Sequence, residues 1–381
     1  MKIGIFTRTP KNNYGGTLQC LALQNYLLGK GHVVEVIAYT SSNRGRKIAK
    51  LKQIFGGISI KEIVTKSMEK LYNFAALKFN HLSPLPESLL KKNSEFIKNN
   101  IILTEKCDEF TIGELILSHK FDIVIFGSDK VWVDLGVSQL VCMGEWNIKP
   151  VVKLISYAAC SGRKVVPRYN REKVKNCLGM FSHISVRDIS TKNLISPYTD
   201  KNIEIVVDPT LLYSFHDFKN LINLDYPYIL TYILGQEIKG GHERIVNKLK
   251  HRYPECKIVS IVLSNESTDI VKLSDKVYYD AGVGEWVSLI YHSTAVYTDS
   301  YHGTLFALKF EKQFVTYYRE LSRSSRIIDL KNEFCLKNVI SKADDYCEDI
   351  ELSRNDYDRI DKYIKTKVSH SIRYLENALL S

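Results

Sequence analysis

Short apolar runs, each closed by a polar or glycine-bearing turn and followed by a stretch of helical periodicity, recur along this chain and restrict it to one fold class. Lys2–Phe6 is the first run. The turn Asn12-Asn13-Tyr14-Gly15-Gly16 separates it from TLQCLALQNYLLGKGH, where Leu18, Leu21, Ala22 and Leu28 recur near the helical period and Gly31 marks a stop. Val33, Val34, Val36 and Ile37 form the next run. Strand, loop, helix, strand is the opening of a doubly wound α/β domain. Asp122–Phe126, Leu154–Tyr157 and Ile184–Val186 continue it, each ending in small or ionisable residues. In a parallel sheet those C-terminal strand ends are where ligands bind.

The order begins again after Val206-Val207-Asp208-Pro209. YPYILTYILG, a charged helix through Arg244 to Arg252, KIVSIVL, the helix VGEWVSLIYHS, the strand AVYTD, the turn and helix YHGTLFALKF, and QFVTYY follow in turn. The 381 residues themselves suggest two domains, at ~150 residues each. The expected division is a Rossmann-like domain over 1–200, a second over 201–350, and a closing helix over 351–381. That helix carries Tyr357, Ile360, Tyr363 and Ile364 on one face and is long enough, at ~1.5 Å per residue, to return to the first domain. Two α/β halves of similar size around a cleft predict a GT-B-like arrangement.

Composition narrows the function classes. Hydrophobic residues at 45% and charged residues at 25% are the balance of a globular protein and exclude global disorder. No apolar run reaches the ~18 residues of a membrane-spanning helix, and the first apolar stretch breaks at Thr7 and Arg8, so a cytoplasmic location is expected. Eight scattered cysteines without a CxxC pair suit buried thiols in a reducing compartment, and no Cys/His spacing predicts a metal site. Lys and Arg total 53 against 42 acids, a net +11, which favours anionic partners. The excess concentrates in 44–78, where Arg44, Arg46, Lys47, Lys50 and Lys52 alternate with apolar residues. This segment is either a peripheral contact for the inner face of an anionic membrane or a solvated insertion. No nucleic-acid-binding motif accompanies it.

The sharpest local signal is TDSYHGTLFALKF, 298–310. A strand ends at Asp299, His302 and Gly303 make the turn, and Thr304 opens an apolar helix. Such a turn is either an anion site, with His302 donating or shuttling a proton, or a capped helix start with a satisfied histidine. NNYGG is its counterpart after the first strand: Gly15 and Gly16 allow close backbone approach, and Asn13 and Tyr14 offer hydrogen bonds. In GSDKVW, Ser128 is expected to cap a helix, Asp129 is a base or a cap, and Trp132 is a sugar-stacking surface or core. Arg187 stands at a strand end, and Arg319, Arg323 and Arg326 cluster after the last strand. Each is a carboxylate or phosphate ligand or a surface ion pair. Cys160 carries nothing nearby to activate it and is read as packing.

Together NNYGGTLQCLALQNYL, GSDKVW, SYAACSG, ISVRD, VVDPTLL, VGEWVSLI and TDSYHGTLFALKF resemble, in order, the polysaccharide pyruvyl transferase family. The resemblance implies a transferase that moves pyruvate from phosphoenolpyruvate onto two hydroxyls of a sugar as a ketal, for a surface polysaccharide such as a capsule or exopolysaccharide. It implies no cofactor beyond phosphoenolpyruvate as co-substrate. The first domain would take the acceptor through Asn13, Tyr14, Gly15, Gly16, Ser128 and Trp132. The second would take the donor through Ser300, His302, Gly303 and Thr304, with Arg187, Arg319 and Arg326. Asp129 and His302 would be the catalytic pair. Several family members carry arginine where this chain has Ser300, so another cation, such as Arg319 or Arg326, must stand in. The +11 charge fits a lipid-linked acceptor. The alternatives are a GT-B glycosyltransferase using a nucleotide sugar, whose diphosphate the same helix end would hold, and a binding module without turnover.

Overall fold

A computed structural model of the chain describes residues 1–7, 13–42, 85–133, 135, 140–148, 151–162, 165–234, 241–263, 268–318, 325–341 and 351–381. The basic segment 44–78, Arg319 and Arg323 lie outside the described residues.

The described strands form two parallel sheets. The first contains β1 (Lys2–Phe6), β2 (Val33–Tyr39), β3 (Leu103–Cys107), β4 (Ile123–Phe126), β5 (Lys153–Ser156), β6 (Phe181–Val186) and β7 (Ile203–Ile205), in the order β3-β2-β1-β4-β5-β6-β7. The second contains β8 (Tyr228–Tyr232), β9 (Lys257–Ile261), β10 (Lys276–Tyr278), β11 (Ala295–Thr298), β12 (Gln313–Tyr317) and β13 (Val339–Ile340), in the order β10-β9-β8-β11-β12-β13. Both orders reverse beside their first strand. That reversal leaves a crevice at the strand ends, beside β1 and β4 in one sheet and β8 and β11 in the other. Central strands such as IVIF and AVYT are buried throughout, as parallel strands covered on both faces must be.

The helices are α1 (Tyr14–Gly29), α2 (Glu87–Asn100), α3 (Ile112–His119), α4 (Arg171–Met180) and α5 (Ile189–Ile195) in the first half. The second half has α6 (His242–Arg252), α7 (Thr268–Val271), α8 (Val283–His292), α9 (Tyr301–Lys309) and α10 (Ser325–Phe334), and α11 (Arg354–Leu380) closes the chain. No described helix is long and apolar enough to cross a membrane.

The first sheet extends to Ile205, so the boundary expected at 200 would have cut off β7, which pairs with β6 through Ile184↔Ile203 and Val186↔Ile205. The change of sheet falls between Ile205 and Tyr228. α11 bridges the halves: the Tyr357 hydroxyl donates to the Lys312 carbonyl at 2.5 Å in the second, and the Tyr374 hydroxyl to the Ser156 carbonyl at 2.8 Å in the first.

One hydrophobic cluster runs across both domains, from Ile3, Leu18 and Leu21 to Trp286, Val287 and Phe306, while separate clusters cover the outer faces of the sheets. The halves therefore share a core. Tyr14 crosses most deeply: fully buried, its ring lies 5.8 Å from Tyr232 and 5.6 Å from Trp286, and its hydroxyl donates to the Ala281 carbonyl.

Candidate active site

Two helix starts meet between the domains. α1 and α9 open with the same pattern, Asn13-Tyr14-Gly15-Gly16-Thr17-Leu18 and Ser300-Tyr301-His302-Gly303-Thr304-Leu305. Each helix begins earlier than expected, because the polar residue before the tyrosine is the cap. Asn13 Oδ1 accepts from the Gly16 amide at 3.1 Å and Ser300 Oγ from the Gly303 amide at 3.3 Å. Helix geometry leaves the amides of residues 14–15 and 301–302 outside the intrahelical ladder. Gly15 lies directly against His302: a methyl at that position would fall 2.0 Å from His302 Nδ1.

Strand ends deliver a charged cluster to this junction. Arg187 follows β6, Asp129 follows β4, Asp208 follows β7, His302 opens α9 and Arg326 opens α10. Arg187 Nη1 donates to Asp208 Oδ2 at 2.6 Å, and its Nη2 lies 3.4 Å from Asp129 Oδ1. Arg326 Nη1 lies 3.4 Å from the same Asp129 oxygen. His302 Nε2 is 3.4 Å from Asp208 Oδ2, within ion-pair range. The Tyr301 ring lies 4.6 Å from the guanidinium of Arg187 and 5.5 Å from that of Arg326. Burial falls sharply across the cluster: the side chain of Asp208 is 0% exposed, Arg187 2%, His302 9% and Arg326 15%. Arg326 is the cation nearest to solvent.

Electrostatics keep the carboxylates charged despite burial. Burial pushes the Asp129 carboxyl up, but Arg187, Arg326 and His302 outweigh it and hold it below the usual carboxylate range. Burial also pushes Asp208 up, and there His302, Arg187 and the Thr210 amide overcome it more strongly, leaving it well below that range. Asp129 adopts a left-handed backbone (φ 52°), which aspartate tolerates better than most residues. The turn around it is tied to α1 by Gln19, whose Oε1 accepts from the Ser128 amide at 3.0 Å and whose Nε2 donates to the Gly16 carbonyl at 2.9 Å.

The structure brings Asp129, Arg187, His302 and Arg326 together, with Gly15 abutting His302. Other expected site residues it uses elsewhere. Trp132 is fully buried, its Nε1 donating to the Cys142 carbonyl at 3.0 Å, so it offers no face to a sugar. Ser128 caps no helix: its segment is a turn, and the residue is wholly buried. Tyr14 is spent on the interdomain core. Gly303 is needed by the fold, since a methyl there would fall 2.6 Å from Thr298 Oγ1. The Thr304 hydroxyl lies 2.9 Å from the Ser300 carbonyl, to which it donates, and 2.7 Å from Thr316 Oγ1. Ser300 caps α9, and Asn13, exposed, caps α1. At His302 the expected gap is narrow: Gly15, which has no side chain, stands against the imidazole, and the His302 side chain keeps 9% exposure. Cys160 is buried and its thiol is pushed up to about 12, in keeping with a packing role.

Trp132→Ala is accordingly expected to lower stability by about 3–5 kcal/mol without changing KM for a sugar acceptor. Denaturant unfolding and acceptor titration check this; a raised KM at unchanged stability would restore the stacking role.

Asp208 and Gln19 were missed. Asp208 sits in a Val-Val-Asp-Pro sequence that reads as a domain boundary, and Gln19 within a helix that reads as apolar. The signal for Asp208 was its place directly after the apolar pair Val206-Val207, three residues beyond β7.

A family model for polysaccharide pyruvyl transferase matches residues 13–320. The chain belongs to the polysaccharide pyruvyl transferase family. No match is found among curated proteins. Among solved structures, the UDP-GlcNAc 2-epimerase of Neisseria meningitidis, bound to UDP-GlcNAc, is similar with a TM-score of 0.52 at 12% identity over 100% of both chains. The Methanocaldococcus jannaschii UDP-GlcNAc 2-epimerase gives 0.49 at 13% identity, covering 97% of this chain and 93% of its own. Anabaena Alr3699/HepE, in complex with UDP and glucose, gives 0.46 at 11% identity over 99% and 100%. The Neisseria meningitidis likeness, at 12% identity, speaks to the fold alone, which is GT-B. Family membership rests on the first match, whose span contains Asp129, Arg187, Asp208 and His302 and ends just short of Arg326.

Proposed function

We propose that this family member transfers pyruvate from phosphoenolpyruvate to two hydroxyls of a sugar, forming a ketal and releasing phosphate. The observation that carries the reading is the pair of guanidiniums, one from each domain, around one Asp129 oxygen. Both stand at 3.4 Å, whereas a tight charge-assisted bond is about 2.7–2.9 Å. Two five-donor groups that approach one oxygen so loosely have donors left for a second anion. Arg187 Nε, buried, has no hydrogen-bond partner among the described residues. Arg326 takes the part of the arginine that Ser300 replaces.

The chemistry follows from the residues. His302 gives a proton to the methylene carbon of the donor, whose π pair forms the new C–H bond and leaves cationic character at C2. A sugar hydroxyl adds to C2 and loses its proton to Asp129. Phosphate departs with its C–O bond pair, and the second hydroxyl closes the ketal, its proton leaving with phosphate. Arg326 and Arg187 hold the donor's anionic groups while charge develops. The acceptor is a sugar with two hydroxyls close enough for one carbon to bridge. The excess of 53 basic over 42 acidic residues supports an acceptor on an anionic lipid carrier at the cytoplasmic membrane face.

Incubation with phosphoenolpyruvate and a panel of diphosphate-linked sugars tests this. Phosphate release together with a new ketal methyl resonance is expected. Arg326→Gln should raise KM for phosphoenolpyruvate at least tenfold. Nucleoside diphosphate released from a nucleotide sugar, with phosphoenolpyruvate inert, would replace this reading with glycosyl transfer.

A further inference from the structure

We infer that Asp208 is a positioning residue for His302, turning the Nε2–H of its imidazole inward so that the proton passed to the donor leaves from Nδ1. This rests on the proposed transfer only for the identity of the proton's acceptor. The geometry comes from Asp208 itself. Its Oδ1 is fixed by the Thr210 amide at 3.0 Å and the Thr210 hydroxyl at 2.7 Å, so the carboxylate cannot rotate freely. Its Oδ2 is shared between Arg187 Nη1 at 2.6 Å and His302 Nε2 at 3.4 Å.

His302 Nε2 is completely buried and has no hydrogen-bond partner among the described residues. A buried ring nitrogen is normally paired, and a closure of about 0.5 Å would bring this one to hydrogen-bond distance. The side chain nevertheless keeps 9% exposure, which must therefore come from atoms other than Nε2. The opposite edge, with Nδ1, faces Gly15 and the start of α1. A ring with one nitrogen 3.4 Å from a fixed carboxylate and the other on the opposite edge has, once that distance closes, the arrangement by which an aspartate sets a histidine's tautomer and stabilises its imidazolium without itself taking a proton.

Other charged groups around the pair do not replace Asp208. Asp129, in the turn after β4, interacts with the ring through charge alone, and its Oδ1 is shared by Arg187 and Arg326. Tyr301, Lys309 and Tyr157 feel the Asp208 charge from α9 and the end of β5. The rival role is a simple one: Asp208 as counter-ion to Arg187 and nothing more.

Histidine-labelled protein separates the two by nuclear magnetic resonance. In the full chain, Asp208→Asn is expected to change which ring nitrogen of His302 carries the proton in the neutral form. The kcat for phosphoenolpyruvate should fall roughly 10²–10⁴-fold. Thr210→Val keeps every charge and the amide hydrogen bond to Asp208 Oδ1 but removes the hydroxyl one, so it should move both readouts in the same direction by less, and it serves if Asp208→Asn does not fold. An unchanged His302 tautomer in the folded variants would overturn the inference, leaving Asp208 a counter-ion. A changed tautomer in protein that does not consume phosphoenolpyruvate would uphold the inference while removing pyruvyl transfer.

Discussion

Arg187→Met is expected to cost about 3–5 kcal/mol of stability at pH 7, because it leaves two buried carboxylates without the guanidinium that joins them. Asp208 loses a 2.6 Å partner and Asp129 a 3.4 Å one, and Arg326 reaches Asp129 alone. The pH dependence should reverse in sign. In the wild type both carboxyls are held below their ordinary range. Their contribution is thus fully present above about pH 4 and is lost as pH falls through the lower folded values. Without Arg187, burial dominates and the folded values rise above the unfolded ones. The penalty is then greatest at neutral pH and shrinks as acid protonates the carboxyls. Thermal melting of both proteins between pH 7 and pH 4 would show a gap that narrows on acidification; a small gap, independent of pH, would mean the cluster contributes little to folding.

Gly15→Ala should lower kcat/KM by about 100-fold, since displacing a catalytic group by ~1 Å has effects of that size. Helix propensity argues the other way, as alanine is favoured over glycine inside a helix by about 1 kcal/mol. Tertiary contact decides: the added methyl would meet Nδ1 and Cγ of His302 at 2.0 and 2.2 Å, so the imidazole must move. Gly29→Ala is the matched control in the same helix. Nothing lies within 4 Å of its new methyl, and it should gain about 0.5–1 kcal/mol. Wild-type activity in Gly15→Ala would show that the imidazole has room to spare and that its seat against α1 is unimportant.

Much of the architecture was legible because parallel strands covered on both faces are written as short apolar runs, and the helices between them have a different period. That is why β1, β4, β5, β11 and β12 stood where the runs did. The candidate site was legible only where chemistry sits within a few residues of a strand end: Asp129, Arg187 and His302. Trp132 could not be judged from its spacing, because core and cleft faces of a turn look alike in one dimension. The start of α1 read as a loop because two glycines hid a helix that Asn13 caps.

The amino-acid order alone determined the alternation of strands and helices, the two-domain division, and the presence of ionisable residues at strand ends. These depend on neighbours within a few positions, where the periods of 2 and 3.6 residues act. Which of those residues meet was decided only in three dimensions. Arg326 and Asp129 are 197 positions apart, and Gly15 touches a histidine in the other domain. No local period encodes such meetings; they follow from the angle at which a shared hydrophobic core docks one sheet's helices on the other's.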